Sequence, residues 1–324
     1  MPHAFRMEKT GGPEVLQWVE TDPGQPGPGE VLIRNTAVGL NYIDVYVRTG
    51  LYPAPLPSGI GFEAAGIVES VGAGVSEFRK GDRIAHDGGP LGAYAELRTM
   101  PADKIVTLPD GIDDRHAAAM MLKGMTTEYL IRRTYPVKKG ETVLFHAIAG
   151  GVGLIACQWL KHLGATVIGT AGSTEKAALA RQHGCDHVIL YREEDFVTRV
   201  KEITGGEGVP VVYDGVGKDV FLPSLDCLRP RGTMVTFGNA SGPPDPIRPL
   251  ILSQKGSLYL TRPTLGTYTA TRQELVDCAN ALFDVVKKGA VKIEINQTYP
   301  LKDAPQAHRD LEARKTSGST VLLP

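Results

Sequence analysis

The hydrophobic pattern changes along the chain, and the change predicts two kinds of structure. Short apolar runs separated by Pro/Gly turns fill the N-terminal third, as in EVLIRNTAVGL (30–40) and AAGIVESVG (64–72). In the first run Val31 and Ile33 alternate with Leu32 and Arg34, with the two-residue period of a half-buried strand. This part of the chain is therefore predicted to be β-rich.

From about Val143 the pattern becomes one of strands alternating with amphipathic helices. The strand TVLFHA (142–147) precedes apolar residues at steps of three and four: Val152, Ile155, Ala156, Trp159, Leu160 and Leu163. That spacing places them on one helix face, against a sheet. The alternation continues to SLYLTR (257–262), so we expect a parallel, doubly wound sheet. A helix at 271–289 and short strands are predicted after it.

The segment IAGGVG (148–153) joins the first strand of this region to its first helix. It places Ile148, Gly150 and Gly153 at the three glycine positions of a G-x-G-x-x-G motif. Gly150 would let the backbone approach a pyrophosphate, and Gly153 would let the helix pack closely on the strand. A tight turn without a ligand is the alternative, but the strand–turn–helix context favours a dinucleotide site.

The following strand, ATVIGTA (165–171), ends without an acidic residue. In an NAD site an Asp or Glu near this point accepts a hydrogen bond from the ribose 2′-OH. Here Gly172, Ser173 and Lys176 follow instead. Ser173 can cap the next helix while its N–H groups face an anion, and Lys176 can supply the countercharge of a 2′-phosphate. A solvated surface position is the alternative for Lys176. The pattern predicts NADPH as the cofactor.

Composition limits the partners and the location. The 324 residues suffice for two domains, and 35 basic against 36 acidic side chains give a formal net charge of −1. This balance gives no reason to expect nucleic acid or an anionic membrane as partner. The longest uncharged apolar run, Ala147 to Cys157, is shorter than the roughly 20 residues that span a bilayer, and no signal-peptide core is present. We expect a cytoplasmic protein.

The cysteines give no sign of a zinc lobe or a redox dithiol, because none of them forms a CxxC pair. We expect all four to be small buried or half-buried residues. They are Cys157, Cys185, Cys227 and Cys278.

The whole chain resembles the medium-chain dehydrogenase/reductase superfamily. Within it the chain is most similar to the zinc-free quinone oxidoreductases of the zeta-crystallin group, above all the bacterial NADPH:quinone oxidoreductases. The similar segments include GGPEVLQ (11–17), GLNYIDVYVRTGLYP (39–53), GFEAAGIVESVGAGV (61–75), LKGMTTEYL (122–130), QKGSLYLTRP (254–263) and GSTVLLP (318–324). The resemblance implies a GroES-like catalytic domain, residues 1–122 and 266–324, and a Rossmann NADPH-binding domain, residues 123–265.

The zinc branch of that superfamily carries His at the position of Phe62 and a Cys ligand upstream, near Asn41. This chain has no Cys in residues 41–44, and a phenyl ring cannot bind zinc. His86 and His146 fall on predicted strands without a second ligand at suitable spacing. No metal is therefore predicted. Without a Lewis acid to stabilise an alkoxide, the substrate must accept a hydride readily, as a quinone or another conjugated carbonyl does.

The resemblance implies a set of cofactor contacts. They are Asn41, Tyr42, Ile43, Asp44 and Tyr129; Gly150, Gly151 and Val152 of the turn; Gly172, Ser173 and Lys176 at the 2′-phosphate, with Tyr191 near the adenine; and Val216, Phe237, Gly238, Asn239, Ala240, Pro263, Thr264 and Leu265 at the nicotinamide end. Arg314 should pair with a phosphate through its bidentate guanidinium, the alternative being a surface ion pair.

Tyr46 and Tyr52, with Asn41 nearby, are the candidates for quinone binding, in a segment expected at the cleft between domains. An aromatic ring can stack on a quinone and a phenol can donate to its carbonyl; buried core tyrosines are the alternative. Lys123 is a further candidate, for electrostatic stabilisation. Because no acid–base triad stands out, catalysis would rest on alignment and on hydrogen bonds to the developing oxyanion.

The first hypothesis is thus an NADPH-dependent quinone reductase that transfers a hydride or electrons directly, without zinc or flavin. A second is reduction of the activated C=C bond of enones or enals. A third is a non-catalytic NADPH-binding protein with a structural or RNA-binding role, against which the near-neutral charge weighs. Members of the family pair their Rossmann sheets edge to edge, so GSLYLTR (256–262) is the candidate strand of a homodimer.

Overall fold

The computed structural model describes all 324 residues, which form two compact units. The first unit comprises Met1–Met125, Thr269–Lys287 and Ile293–Pro324, and the second comprises Thr126–Tyr268 and Lys288–Lys292. Each predicted division, after residues 122 and 265, lies slightly before the observed one. The segment Lys288–Lys292 joins the second unit, where Lys292 and Gln158 exchange hydrogen bonds of 2.9 and 3.0 Å.

In chain order the strands are β1 His3–Arg6, β2 Gln17–Glu20, β3 Glu30–Leu40, β4 Glu63–Val71, β5 Arg83–His86, β6 Leu97–Pro101, β7 Val106–Thr107, β8 Thr142–Phe145, β9 Thr166–Ala171, β10 His187–Leu190, β11 Val209–Asp214, β12 Leu228–Thr236, β13 Tyr259–Thr261, β14 Ile295–Pro300 and β15 Ser319–Leu323. The α-helices are α1 Tyr42–Thr49, α2 Asp114–Tyr129, α3 Gly151–His162, α4 Thr174–Gln182, α5 Phe196–Ile203, α6 Phe221–Asp226, α7 Leu250–Gln254, α8 Leu265–Tyr268, α9 Arg272–Lys287 and α10 Ala304–Glu312. Three 3₁₀ turns (Pro13–Val15, Ala102–Lys104, Leu301–Asp303) and a π-helical segment (Leu130–Thr134) complete the set.

The first unit is a β-rich structure centred on β3. Its main sheet has the order β14-β15-β3-β4-β5-β7, with β6 also pairing with β3, while β1 and β2 form a separate antiparallel pair. Because β3 lies inside the sheet and is covered on both faces, Leu32 is buried together with Val31 and Ile33. The prediction of a half-buried strand was therefore wrong at Leu32.

Helix α1 was not predicted from the sequence. It begins after Asn41, whose backbone N–H donates to the Asp44 carboxylate (N···Oδ2 2.9 Å), the reciprocal bond of a capping box. It ends at Gly50, which adopts the left-handed conformation (φ 84°) that favours glycine at a helix C-terminus. The helix therefore holds Asn41 and Tyr42 at its amino end.

The second unit contains a six-stranded sheet of order β10-β9-β8-β11-β12-β13, in which all pairs are parallel. The order runs outward in both directions from β8, which is the doubly wound arrangement of a Rossmann fold. The predicted α/β class, with this sheet and a separate β-rich unit, is confirmed.

The four cysteines are buried and free, as predicted. None of the helices combines the length and the apolar character needed to cross a bilayer.

Candidate functional site

The glycine turn between β8 and α3 has the geometry of a phosphate-binding loop. Gly150 is the N-cap residue of α3, and a Cβ atom built there would meet only the Ala147 carbonyl oxygen, at 3.2 Å. A Cβ atom on Gly153 would lie 2.4 Å from the Ile148 oxygen, so only glycine permits this close helix–strand contact. The N–H groups of Gly151 and Val152 lie in the first turn of α3, where backbone N–H groups have no partner within the helix and can donate to an anion.

A buried histidine stabilises the turn through a chain of hydrogen bonds. His146 Nε2 lies 2.8 Å from Ser224 Oγ, which itself donates to the Val220 carbonyl (2.6 Å), so Nε2 carries the proton. His146 Nδ1 then accepts from Thr170 Oγ1 (3.0 Å), and that oxygen accepts from the Ala147 N–H (3.2 Å). The last bond fixes Ala147 in the left-handed region, at φ 52°.

We expect His146 to make folding sensitive to acid. Burial lowers the pKa of His146 from 6.5 to about 3, so its contribution to stability is complete above the unfolded pKa and is lost as the pH falls. Between about pH 6.5 and 3 the free energy of unfolding should drop by about 1.4 kcal/mol per pH unit on its account. The free energies of unfolding of the parent and of His146→Gln, measured with urea, should therefore become more similar as the pH is lowered.

The exposed His187 provides the matched control for that comparison. His187→Gln should keep the pH dependence of the parent protein. Parallel pH profiles for the parent and His146→Gln would contradict the assignment of a neutral, buried imidazole.

The carboxyl end of β9 brings together the residues predicted at the 2′-phosphate. Ser173 caps α4, its Oγ accepting from the Lys176 N–H (3.3 Å). A Cβ atom on Gly172 would lie 2.8 Å from the Tyr191 hydroxyl, so glycine at this position leaves room for the exposed Tyr191 side chain beside it. The strand ends at Ala171, and a helix N-terminus follows it directly, which favours an anion there.

The carboxyl end of β11 carries a buried acid that the sequence pattern did not identify. Asp214 Oδ1 accepts from the backbone N–H groups of Val216 (2.7 Å) and Gly217 (3.0 Å), while Oδ2 is buried without a partner. Burial raises the pKa of Asp214 to about 6. Asp214 thus shapes the loop that contains Val216; its position at the end of a parallel strand was the signal that could have revealed it.

Arg262 organises the neighbouring segment Phe237 to Ala240. Its Nη1 donates to Thr236 Oγ1 (2.9 Å) and to the Gly238 carbonyl (3.0 Å). With the Asn239 amide oriented to satisfy both groups, that side chain donates to the Gly238 carbonyl and accepts from Arg262 Nη2 (3.1 Å). The predicted residues Phe237, Gly238, Asn239 and Ala240 therefore form one braced loop, and Arg262 is a residue that the sequence analysis missed.

Tyr129 is buried and stacks on Tyr268, with ring centroids 4.7 Å apart. The guanidinium of Arg133 lies over the Tyr268 ring, 5.1 Å from its centroid, and donates to the Tyr268 carbonyl (2.9 Å). Pro263 and Thr264 lead into α8, whose first residue is Leu265. The structure thus ties the end of α8 to the segment that contains Tyr129.

The first unit contains a buried ion pair at the position where the zinc branch binds its metal. Glu63 is fully buried, and its Oε2 accepts from Asn41 Nδ2 (2.7 Å) and from Lys123 Nζ (3.1 Å). Its Oε1 accepts from the Leu122 N–H (2.9 Å). A Cβ atom on Gly39 would lie 2.1 Å from Oε2, so glycine at that position makes room for the carboxylate.

These donors do not fit a zinc ion. Phe62 offers no ligand atom, and both Glu63 oxygens are already used by Asn41, Lys123 and a backbone N–H. No group of three or more His, Cys, Asp or Glu side chains with metal-binding geometry occurs in the structure. The ammonium of Lys123 is therefore the cation present at this point.

The tyrosines predicted to bind the quinone lie together. The rings of Tyr46 and Tyr52 are 5.0 Å apart and those of Tyr42 and Tyr46 are 5.5 Å apart. Tyr46 is buried, whereas Tyr42 and Tyr52 are half-buried. Ile43 is half-buried in the first turn of α1.

Arg314 follows α10 in the left-handed conformation, at φ 59°. Its charge acts on Tyr42, whose pKa is raised by burial and by Glu312 and lowered by Arg314 and Arg48. Arg314 therefore lies near the amino end of α1, and its contact with a phosphate stays a prediction.

Two family models match successive parts of the chain. The family model described as alcohol dehydrogenase GroES-like domain matches residues 27–110, and the model described as zinc-binding dehydrogenase matches residues 151–281. A quinone oxidoreductase of Pseudomonas aeruginosa is 58% identical over 315 residues, which are 97% of each chain. A 2-haloacrylate reductase of Burkholderia is 49% identical over 100% of this chain and 99% of that protein.

Among solved structures, the quinone oxidoreductase of Escherichia coli in complex with NADPH superposes with a TM-score of 0.98. It is 53% identical and matches over 99% of this chain and 100% of its own. Because the identities are this high and the positions of the zinc ligands hold other residues, the chain belongs to the zinc-free quinone oxidoreductases of the medium-chain dehydrogenase/reductase superfamily.

Proposed function

We propose that this protein is an NADPH-dependent quinone reductase that acts without zinc or flavin. The observation that carries the proposal is the similarity to the Escherichia coli enzyme solved with NADPH, at a TM-score of 0.98 and over the full chain. The end of β9 supports the same cofactor, because Ser173 and Lys176 stand where an NAD site needs an acid.

Backbone N–H groups and side chains of the second unit would hold NADPH. Gly150, Gly151 and Val152 would surround the pyrophosphate at the start of α3, with the free N–H groups donating to it. At the start of α4, Gly172, Ser173 and Lys176 would bind the 2′-phosphate, with Tyr191 beside the adenine. The braced loop Phe237 to Ala240, Val216 and the segment Pro263 to Leu265 would line the nicotinamide end.

When bound, NADPH supplies a hydride. Negative charge then develops on the quinone oxygen, and a hydrogen-bond donor or a cation beside that oxygen would stabilise it. Lys123 and the Asn41 amide are fixed on Glu63, so a donor and a positive charge are oriented before the reaction, which is the requirement for electrostatic stabilisation. Tyr46 and Tyr52 would pack against the quinone ring, and Tyr52 is the more exposed of the two.

Reduction of an activated C=C bond is the second candidate. It is favoured by the 49% identity to the 2-haloacrylate reductase of Burkholderia. Hydride addition to a conjugated acid would place the developing charge on the carboxylate end of the substrate, where the same Lys123 could stabilise it.

An assay with both acceptor classes separates the two functions. The purified protein should oxidise NADPH in the presence of a quinone such as 1,4-benzoquinone, and more slowly or not at all with 2-chloroacrylate. Turnover only with 2-chloroacrylate would favour the second candidate. Tight NADPH binding without consumption in either reaction would contradict both and support a non-catalytic role.

We also infer a cytoplasmic homodimer. Strand β13 is at the open edge of the parallel sheet, and Tyr259 on it is 63% exposed. An open edge with exposed apolar side chains can pair with the same strand of a second chain.

A further inference from the structure

A continuous row of buried polar side chains connects Glu312 to Asp44 in the first unit. Arg48 is 1% exposed, and its guanidinium donates two hydrogen bonds to the Glu312 carboxylate (2.7 and 2.9 Å). Arg48 Nη1 also lies 3.2 Å from Nδ1 of His308. His308 Nε2 lies 3.1 Å from the Tyr94 hydroxyl, which is 2.9 Å from Asp44 Oδ2. None of these contacts was predicted from the sequence.

Because Arg48 is at one end of this row, the donor and the acceptor of every hydrogen bond in it can be assigned. An arginine can only donate, so His308 Nδ1 accepts and the imidazole proton is on Nε2. His308 Nε2 must then donate to the Tyr94 oxygen, and the Tyr94 hydroxyl must donate to Asp44. Burial, followed by the charge of Arg48, lowers the pKa of His308 to about 3, which keeps the imidazole neutral as this direction requires.

The Asp44 carboxylate in turn holds the amino end of α1. Its Oδ2 accepts both the Tyr94 hydroxyl and the Asn41 backbone N–H (2.9 Å), while Oδ1 is buried without a partner. Asn41 presents its side-chain amide to Glu63. The orientation of Asn41 thus depends on the ionised form of Asp44, because a protonated carboxyl is a weaker acceptor.

Some of the charges around Asp44 raise its pKa and others lower it. Glu63 on β4 raises its pKa, and Lys123 on α2 lowers it. Within the row, Arg48 is the buried cation on α1, His308 and Glu312 stand on α10, and Tyr94 precedes β6. Burial is the largest influence and raises the pKa of Asp44 from 3.8 to about 7, while the Asn41 N–H and the Tyr94 hydroxyl lower it. The carboxyl therefore changes its charge near neutral pH.

We propose that Tyr94, His308 and Arg48 are positioning residues for Asn41: their one-way hydrogen-bond row favours the ionised form of Asp44, which fixes the amino end of α1 for the reaction. The effect of this row on turnover rests on the reaction proposed above. Its effect on Asp44 itself is independent of any substrate.

The direct test is a titration of Asp44 by NMR. Protein labelled with ¹³C at the aspartate carboxyls is followed from acid to alkaline pH, and the Asp44 signal is assigned with Asp44→Asn. Tyr94→Phe removes one hydrogen bond to the carboxylate and keeps the ring. The Asp44 midpoint should then move to higher pH by about one to two pH units.

Tyr299→Phe is the matched control, because the Tyr299 hydroxyl also donates to an aspartate of this unit (Asp310 Oδ2, 3.0 Å). It should leave the Asp44 midpoint unchanged. His308→Gln, which retains a donor toward Tyr94, should move the midpoint less than His308→Leu. An unchanged midpoint in Tyr94→Phe, or equal shifts in Tyr94→Phe and Tyr299→Phe, would overturn the proposal.

Turnover provides the second readout. If the protein reduces quinones, the acid limb of its kcat profile should move to higher pH in Tyr94→Phe by the same amount as the NMR midpoint, and activity should return at alkaline pH. A uniform loss of kcat at every pH would mean a structural role and would overturn the positioning role. Absence of quinone turnover in the parent protein would refute the proposed function, while the NMR titration would still decide whether the row controls Asp44.

Discussion

Lys123→Met is expected to lower the free energy of unfolding by about 3–5 kcal/mol, the cost of removing one partner of a buried ion pair. The Glu63 carboxylate is fully buried, and after the change it would keep only the Asn41 amide and one backbone N–H as donors. Methionine retains most of the side-chain volume, so the loss reports the missing charge rather than a cavity. Urea unfolding at neutral pH measures the effect.

The double variant Glu63→Gln/Lys123→Met is the internal control. It removes both charges and should recover much of the stability, since replacing a buried pair by neutral groups is often close to neutral. Lys80→Met changes a lysine whose side chain is 77% exposed and lies 4.0 Å from Glu69, and it should alter stability by less than about 1 kcal/mol. A single Lys123→Met variant as stable as the parent would show that the pair does not hold this part of the unit.

Lys176→Ala should weaken NADPH binding by about 10- to 100-fold and leave NADH binding nearly unchanged. The factor corresponds to the loss of one charge-assisted hydrogen bond to the 2′-phosphate, which NADH lacks. Lys176 stands in the first turn of α4, and its backbone N–H already donates to Ser173 Oγ. Titration of nucleotide fluorescence with both cofactors measures the two dissociation constants.

Lys139→Ala is the matched control for this experiment, because Lys139 is an exposed lysine of the same unit that precedes β8 at the opposite end of the strands. It should change neither constant. Equal losses of NADPH and NADH affinity in Lys176→Ala would mean that the lysine does not discriminate between them, and the choice of cofactor would need another explanation.

The regular helices and strands could be predicted from the sequence because their hydrophobic residues repeat with a fixed period within one short segment. The pattern from Val152 to Leu163 gave α3, and EVLIRNTAVGL gave β3 with both ends correct. Helices α1 and α10 could not be predicted in the same way. The α1 segment carries Asp44 and Arg48 on a buried face, where a hydrophobic period would require apolar residues.

In the candidate site, too, the residues in local motifs could be predicted, whereas the contacts between distant positions could not. Gly150, Gly172 and Ser173 lie in short segments whose order alone indicates a strand, a turn and a helix N-terminus. The ion pair of Glu63 and Lys123 joins positions 60 residues apart, and the bond between Arg48 and Glu312 joins positions 264 apart. Such contacts are set by how β4, α2 and α10 pack, and no local pattern encodes them. Lys123 was nevertheless among the predicted site residues, whereas its partner Glu63 was not.

The proposed function depends on direct transfer of a hydride from NADPH to a quinone in a site without metal or flavin. This transfer can be followed by stopped-flow oxidation of NADPH deuterated at the reactive C4 position, with protein that has been treated with a strong chelator. We expect quinone-dependent oxidation with a primary isotope effect and with the same rate before and after chelation. Loss of activity on chelation, or a flavin absorbance that bleaches before the quinone is reduced, would show that the electrons take another route.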